Sequence, residues 1–350
     1  MKIIFTGGGT LGPVTPLLAV YETWKQKNQD LTAVWVGTSR GPERRLVAAA
    51  VLPFYSLPVA RLPRYLSWEW LTFPVFFVAA FLKALWILRR EQPDLIASAG
   101  GFTGVPMIYA GWLLGIRAWV HQLDIQPLLS NRLTAPLAKY LTVTWPNNLN
   151  SFKKPATIVG ALVRPSLLVS VKNNANVFSL DQALPTVFIL GGGSGSTWLN
   201  EIMLQIGPRL IEHANVIHVT GRGKMMAGLK MIGPRYHVAE FLDEEMAAAW
   251  FAATVVVSRA GMGALSELAA FEKPAVIIPL PDSPQEMNAA VLAAARAAIV
   301  LTQKDTPASA LEKTILSLLT DTEKRRQLSE RISTVLSTDG AKQVVELLNR

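Results

Sequence analysis

The 350-residue chain contains no cysteine, which excludes disulfide scaffolds, thiol nucleophiles and cysteine-ligated metal sites. Histidine is nearly as scarce. The four copies, His121, His213, His218 and His237, fall at spacings that fit no metal-ligand pattern, and no Asp-x-Asp pair offers a carboxylate cradle for a divalent ion. No metal site is therefore expected, and no other cofactor is called for. The start of the chain lacks a leader pattern: Met1 and Lys2 run straight into the apolar residues 3–5 and then glycines, which is a strand and a loop. A membrane-spanning run is not expected in the most apolar stretch, residues 68–88. Its charge-free part, residues 70–82, is 13 residues long and contains Pro74, whereas a spanning helix needs about 20 apolar residues.

Half of the residues are apolar, and 350 residues suit two domains better than one. Short β-like runs alternate with longer helical patterns. Residues 2–5, 32–36, 95–98, 118–121 and 141–143 read as strands in the first half, and 186–190, 216–219, 255–257 and 275–278 repeat the series. Residues 16–25 read as a helix. Strands alternating with helices predict parallel sheets of βαβ units, hence an α/β chain with two doubly wound domains. The polar, aperiodic residues 164–185 mark the junction, which divides the chain into 1–163 and 164–350, and the terminal helical stretch 341–350 could pack on either domain. The net charge of +9 is uneven: residues 1–165 carry 17 Lys and Arg against 7 Asp and Glu, and the rest of the chain is close to neutral. A basic half suggests an anionic partner surface.

Three glycine loops follow strands of the expected sheets. Gly7-Gly8-Gly9-Thr10-Leu11-Gly12 follows the first strand, Gly100-Gly101-Phe102-Thr103-Gly104 a later one, and Gly191-Gly192-Gly193-Ser194-Gly195-Ser196 the first strand of the second half. Glycines let backbone N–H groups approach a phosphate, and the following helix N-terminus favours negative charge. Any one such loop could be a plain tight turn; the paired loops, one opening each domain, would face each other across a ligand cleft. In Arg259-Ala260-Gly261-Met262-Gly263-Ala264-Leu265-Ser266-Glu267 glycines open a helix and place a carboxylate about two turns in, where it could accept both hydroxyls of a ribose or simply be solvated. The amides of Gln285 and Asn288 suit sugar hydroxyls.

The stretch 68–88 has unusual aromatic weight, with Trp70, Phe73, Phe76, Phe77, Phe81 and Trp86, and is flanked by Arg61, Arg64, Lys83, Arg89 and Arg90. A helix starting at Pro74 is expected there. It reads either as a helix lying on anionic headgroups or as a buried core helix with a dimer face. The aromatics cluster in this one run and are not interleaved along a basic groove, so nucleic acid is not an expected partner.

Taken in order, these motifs resemble the MurG family of N-acetylglucosaminyltransferases. The resemblance runs from Gly8 to Pro16, through Gly100 to Pro106, His121 to Asn131, Gly160 to Arg164, Gly192 to Asn200 and Phe241 to Met246, to Arg259–Glu267 and Gln285–Ala289, so it covers nearly the whole chain. It implies the GT-B fold and inverting transfer of N-acetylglucosamine from UDP-N-acetylglucosamine to an undecaprenyl-linked muramoyl-pentapeptide, without a bound metal. On the donor side it implies that Ser194 contacts the diphosphate, with Arg164 nearby, that Leu242 lines the uracil pocket, and that Glu267 holds the ribose and Gln285 the glucosamine hydroxyls. The acceptor loops would use Gly9, Thr10, Gly12, Gly101 and Asp124. It further implies a peripheral protein on the cytoplasmic face of the membrane, working with a cell-wall synthesis complex.

The chain departs from the family at definite places. Leu11, Gly12 and Pro13 stand where the family has two glycines and a histidine. Gln122 and Asp124 replace a glutamate and an asparagine, Ala161-Leu162 an Asn-Pro pair, and Gly195-Ser196 a Gln-Gly pair. Pro284 stands where a histidine or glutamine precedes Gln285. With the loop histidine gone, Asp124 is the first candidate for the base that deprotonates the acceptor, and His121 the second. Competing expectations are a related transferase with another lipid acceptor, a non-catalytic UDP-sugar-binding scaffold and, less favoured because it leaves the apolar stretch without a purpose, a UDP-sugar epimerase.

Overall fold

The computed structural model describes residues 1–59, 69–169 and 177–350, with side chains described throughout these ranges except at 69–73. The chain forms two compact units, Met1–Arg164 with Asp339–Arg350, and Pro165–Thr338.

The first unit is a seven-stranded parallel sheet. Its strands are β1 (Lys2–Thr6), β2 (Thr32–Thr38), β3 (Phe54–Leu57), β4 (Leu95–Ser98), β5 (Arg117–Gln122), β6 (Tyr140–Val143) and β7 (Thr157–Ile158), in the order β3-β2-β1-β4-β5-β6-β7. Central strands of such a sheet are covered on both faces, so they read as continuous apolar runs. Ile4, Val36, Ile96, Val120 and Leu141 pack with Ile87 and Leu88 of the helix Glu69–Glu91 and with Met107 and Ile108 of the helix Gly104–Leu113. The terminal helix Gly340–Leu348 belongs to this unit and lies on the helix Val14–Lys27. Its first residue must be small, because a Cβ on Gly340 would sit 2.5 Å from the carbonyl oxygen of Ala161.

The second unit repeats the plan with β8 (Thr186–Leu190), β9 (Asn215–Val219), β10 (Tyr236–Ala239), β11 (Val255–Ser258), β12 (Ala275–Ile277) and β13 (Ile299–Val300), in the order β10-β9-β8-β11-β12-β13. Its core joins Val187, Ile189, Val216, Val255, Val257 and Val276 to Leu199, Met203 and Ile206 of the helix Thr197–His213. In both sheets the strand order reverses beside the first strand, between β1 and β4 and between β8 and β11. Ligands of open α/β sheets bind outside the carboxyl ends of the strands at this reversal.

Four strands, β3, β7, β10 and β13, lie beyond the sequence expectation. All are peripheral and two have only two residues. The helix Glu69–Glu91 also corrects an expectation: Pro74 is its sixth residue, in the second turn, and does not start it. Among the described residues no helix is long and apolar enough to cross a membrane.

Candidate functional site

In the first unit three loops meet at the reversal point. The loop after β1 carries Gly9, Thr10 and Gly12, and the loop after β4 lies against it: a Cβ on Gly101 would be 3.5 Å from Pro13 Cγ and 3.6 Å from the carbonyl oxygen of Gly8. The segment after β5 closes the other side, with Ser130 Oγ of the short helix Leu129–Thr134 accepting from the Gly101 N–H at 3.2 Å. Gly9, Gly100 and Gly101 have φ of 82°, 99° and 92°, the left-handed region in which glycine is favoured. Thr10 and Gly12 are exposed.

Beneath the first loop lies a residue the motif reading missed. Glu43 is fully buried. Its Oε1 accepts from the Thr38 N–H and the Thr38 hydroxyl, both at 2.6 Å, and its Oε2 accepts from the Gly9 N–H at 3.1 Å. Glycines surround the carboxylate: a Cβ on Gly8, Gly37 or Gly41 would lie 2.3, 3.0 or 1.9 Å from one of its oxygens. The Gly9 N–H, expected to approach a phosphate, is thus directed to a carboxylate below the loop. The signal in the sequence was an acid among several glycines in a half that has few acids.

His121 is corrected from candidate base to buried scaffold. Its ring is fully buried, with Nδ1 2.8 Å from Thr142 Oγ1 and Nε2 3.0 Å from Thr144 Oγ1. The Trp119 indole donates to the same Thr142 hydroxyl at 2.8 Å. Burial pushes the imidazole pKa down to about 3, so the ring is neutral and enclosed, and no acceptor hydroxyl can reach it. Asp124 is half-buried at the start of the acceptor loop. Amide side chains hold this loop. Gln122 Nε2 donates to the carbonyl oxygens of Asp124 at 2.6 Å and Gln126 at 3.1 Å, and Asn148 Nδ2 donates to that of Ile125 at 2.7 Å. A glutamate at position 122 has no N–H to give those carbonyls, so Gln122 is a structural replacement here.

In the second unit the loops after β8 and β11 meet in the same way. Gly195 (φ 70°) presses its backbone on the loop after β9: a Cβ there would be 2.2 Å from the Thr220 carbonyl oxygen. Ser196 caps the helix Thr197–His213 by accepting from the Leu199 N–H at 3.3 Å. The family's Gln-Gly pair is therefore replaced by a glycine that permits close approach and a serine that caps. Ser194 is exposed on this loop. Buried Arg259 ties the strand ends together. It donates to the carbonyl oxygens of Ile278 and Pro279 at 3.1 and 3.0 Å, to Ser196 Oγ at 2.8 Å and to Gln303 Oε1 at 2.6 Å. Burial lowers its pKa to about 10, which leaves it charged at neutral pH.

Glu267, half-buried in the helix Met262–Ala270, accepts from the Trp250 indole at 2.6 Å. Gln285 uses its Oε1 to accept from the Leu280 N–H at 3.0 Å, and its Nε2 would be 3.6 Å from a Cβ on Gly261, at the start of that helix. Leu242 is buried, next to Phe241 and the Arg222 guanidinium that covers its ring at 4.6 Å. Ser194 and Leu242 thus sit on loops, Gln285 opens its helix and Glu267 lies in the second turn of its own, all beyond the carboxyl ends of strands of one sheet. Arg164 ends the first segment of the first unit and is half-buried.

The side chains of Trp70 and Phe73 lie outside the described residues, as do Arg61 and Arg64. Within the helix Glu69–Glu91 the aromatics divide. Phe76 and Trp86 are exposed, Phe77 is half-buried, and Phe81 is half-buried against the core. Phe77 and Phe81 are thus corrected from an exposed face to a partly covered one. The exposed stripe is Val75, Phe76, Val78, Leu82 and Trp86, with Lys83, Arg89 and Arg90 also exposed. Among the described residues no group of three or more histidine, aspartate or glutamate side chains is placed to hold a metal.

Comparison with known proteins agrees with this layout. Residues 3–142 match the glycosyltransferase family 28 N-terminal domain and residues 186–345 its C-terminal domain. The chain is 32% identical to the UDP-N-acetylglucosamine–N-acetylmuramyl-(pentapeptide) pyrophosphoryl-undecaprenol N-acetylglucosamine transferase of Clostridium kluyveri, over 89% of this chain and 90% of that one. It is also 32% identical to the protein of the same name from Geobacillus thermodenitrificans, over 80% and 78%. Among solved structures, Acinetobacter baumannii MurG superposes with a TM-score of 0.75 at 23% identity over 99% of both chains. A UDP-N-acetylglucosamine 2-epimerase from Neisseria meningitidis, bound to UDP-N-acetylglucosamine, gives 0.68 at 16% over the whole of both chains.

Proposed function

The chain belongs to glycosyltransferase family 28, and on that footing we propose that it transfers N-acetylglucosamine from UDP-N-acetylglucosamine to lipid I, making lipid II for peptidoglycan synthesis. The observation that carries the reading is the 32% identity over 89% of the chain to a transferase of that name. Epimerases share the GT-B plan at 16% identity or less, and a shared fold does not fix an activity.

The second unit takes the donor. Ser194 meets the diphosphate, Glu267 the ribose, Leu242 the uracil and Gln285 the sugar hydroxyls. The helices Thr197–His213 and Met262–Ala270 begin at the loops after β8 and β11, so their N-termini supply partial positive charge to the departing diphosphate. Transfer is a single displacement. The acceptor hydroxyl oxygen bonds to the anomeric carbon, the bond from that carbon to the β-phosphate oxygen breaks, and its electron pair leaves with UDP. The hydroxyl proton goes to a base, for which Asp124 is the candidate once His121 is removed. No resident metal takes part in this reading, and turnover is expected to survive chelation.

The stripe of Val75, Phe76, Val78, Leu82 and Trp86, with its exposed cations, lies on anionic lipid at the cytoplasmic face and brings the first unit to its lipid-linked acceptor. A second reading, transfer to another lipid acceptor, is favoured by the altered first loop, where Pro13 replaces a histidine. The deciding experiment is transfer of radiolabel from UDP-N-acetylglucosamine to lipid I and to undecaprenyl phosphate, with UDP-hexoses as controls. Labelled lipid II supports the proposal, and label on undecaprenyl phosphate alone moves the chain to the second reading.

A further inference from the structure

Trp250 is the last but two residue of the helix Met246–Ala252 and is completely buried. An indole N–H is a donor only, and a buried one needs an acceptor. Here the acceptor is Glu267 Oε2, at 2.6 Å and 17 positions further along the chain. The indole itself is fixed. It stacks on Phe271, with centroids 5.8 Å apart and planes at 6°, and meets Phe188 of β8 edge to face at 5.2 Å and 88°. The N–H direction is therefore set by the core of the second unit.

We propose that Trp250 is a positioning residue for the donor ribose: its indole N–H holds the Glu267 carboxylate from below in the orientation that receives the 2′- and 3′-hydroxyls. This rests on the donor reading given above. A carboxylate has about four acceptor positions, and one indole N–H uses one of them. The indole N–H is neutral and adds no competing charge of its own beside the diol. The stack with Phe271 has a further consequence. Phe271 follows directly on the helix that carries Glu267, so the same aromatic contact that fixes the indole also fixes that helix end relative to β8.

The test is titration of UDP and of 2′,3′-dideoxy-UDP into the full chain and its Trp250→Phe, Glu267→Gln and double variants. Phenylalanine keeps most of the aromatic packing and removes the N–H. Trp250→Phe should weaken UDP by about tenfold, the scale of one hydrogen bond to a charged group, and dideoxy-UDP by less than about twofold. In the Glu267→Gln background the same change should cost less than in wild type. Donor KM should rise with kcat largely kept. Equal weakening of both nucleotides would overturn the proposal, since it marks a merely structural role, and so would no change in either. Wild type that binds UDP and dideoxy-UDP alike would overturn the ribose role of Glu267 itself, and wild type that binds neither would overturn the donor reading. If Trp250→Phe does not fold, Phe271→Leu loosens the indole while keeping its N–H; a ribose-dependent loss of about threefold supports the proposal, and a ribose-independent one refutes it.

Discussion

Replacing Glu43 by alanine should release the first glycine loop. The carboxylate takes three hydrogen bonds, from the N–H groups of Gly9 and Thr38 and from the Thr38 hydroxyl. It fills a space walled by Gly8, Gly37 and Gly41, in which none of the three could carry a Cβ. Alanine leaves all three donors without their acceptor, at about 1–3 kcal/mol for each group that stays buried. Water entering beside half-buried Gly9 and Thr38 offsets part of this, which leaves a net loss of about 3–5 kcal/mol. In a unit of this size about 1 kcal/mol corresponds to 2–4 °C, so its melting transition should fall by about 10 °C. Glutamine keeps the shape but sets an amide N–H against a backbone N–H, and should cost about 1–3 kcal/mol. Calorimetry reads the stability. Titration with UDP should show donor affinity unchanged, because Glu43 lies in the first unit, while transfer falls. A Glu43→Ala variant within about 0.5 kcal/mol of wild type would refute the reasoning, and so would a glutamine variant as damaged as the alanine one.

Gly195→Ala places a Cβ 2.2 Å from the Thr220 carbonyl oxygen at a φ of 70°, so it should lower the melting temperature and weaken UDP together; thermal shift with and without UDP checks both. His121 and His218 are both pushed by burial from 6.5 down to about 3. Between these values the unfolded chain binds protons that the folded one does not, so stability should fall as pH drops below about 6.5, by about 2 kcal/mol per histidine at pH 5; urea midpoints at pH 7.5 and 5 measure it, and flat midpoints would contradict it. Phe76→Ser with Leu82→Ser should reduce flotation on anionic vesicles without unfolding the chain, whereas Phe81→Ser should chiefly destabilise the first unit, because Phe81 packs on its core. Asp124→Asn should sharply lower kcat and remove the acidic limb of the pH–rate profile with UDP affinity intact; near-wild-type kcat across that limb would take the base role from Asp124.

Much of the fold was legible because buried parallel strands announce themselves. Runs such as Val255–Ser258 are apolar on both faces and are followed by glycine turns. The strands that escaped notice are peripheral. Tyr236–Ala239 is only half covered along most of its length, and Thr157–Ile158 is exposed, so neither carries a continuous apolar signature. The helix Glu69–Glu91 was seen, but not which side of it faces out. Its sequence is apolar nearly all round, and a period of 3.6 selects a buried face only where polar residues mark the other one. Packing of Phe81, Ala84, Leu85 and Leu88 into the core made that choice.

The sequence by itself determined the two parallel-sheet units, the glycine loops at their strand ends and the family to which those loops belong. All of these are written in local periodicity and in short motifs. Contacts between residues far apart in the chain were left to the tertiary structure. The meeting of Glu43 with Gly9, of Trp250 with Glu267 and of His121 with two threonines of β6 and its following loop depends on which loops the strand order brings together. A lone histidine or glutamate reads the same in sequence whether it faces a substrate or the core. Only burial and the partners supplied by other elements separate the two, and these exist once the sheet has formed.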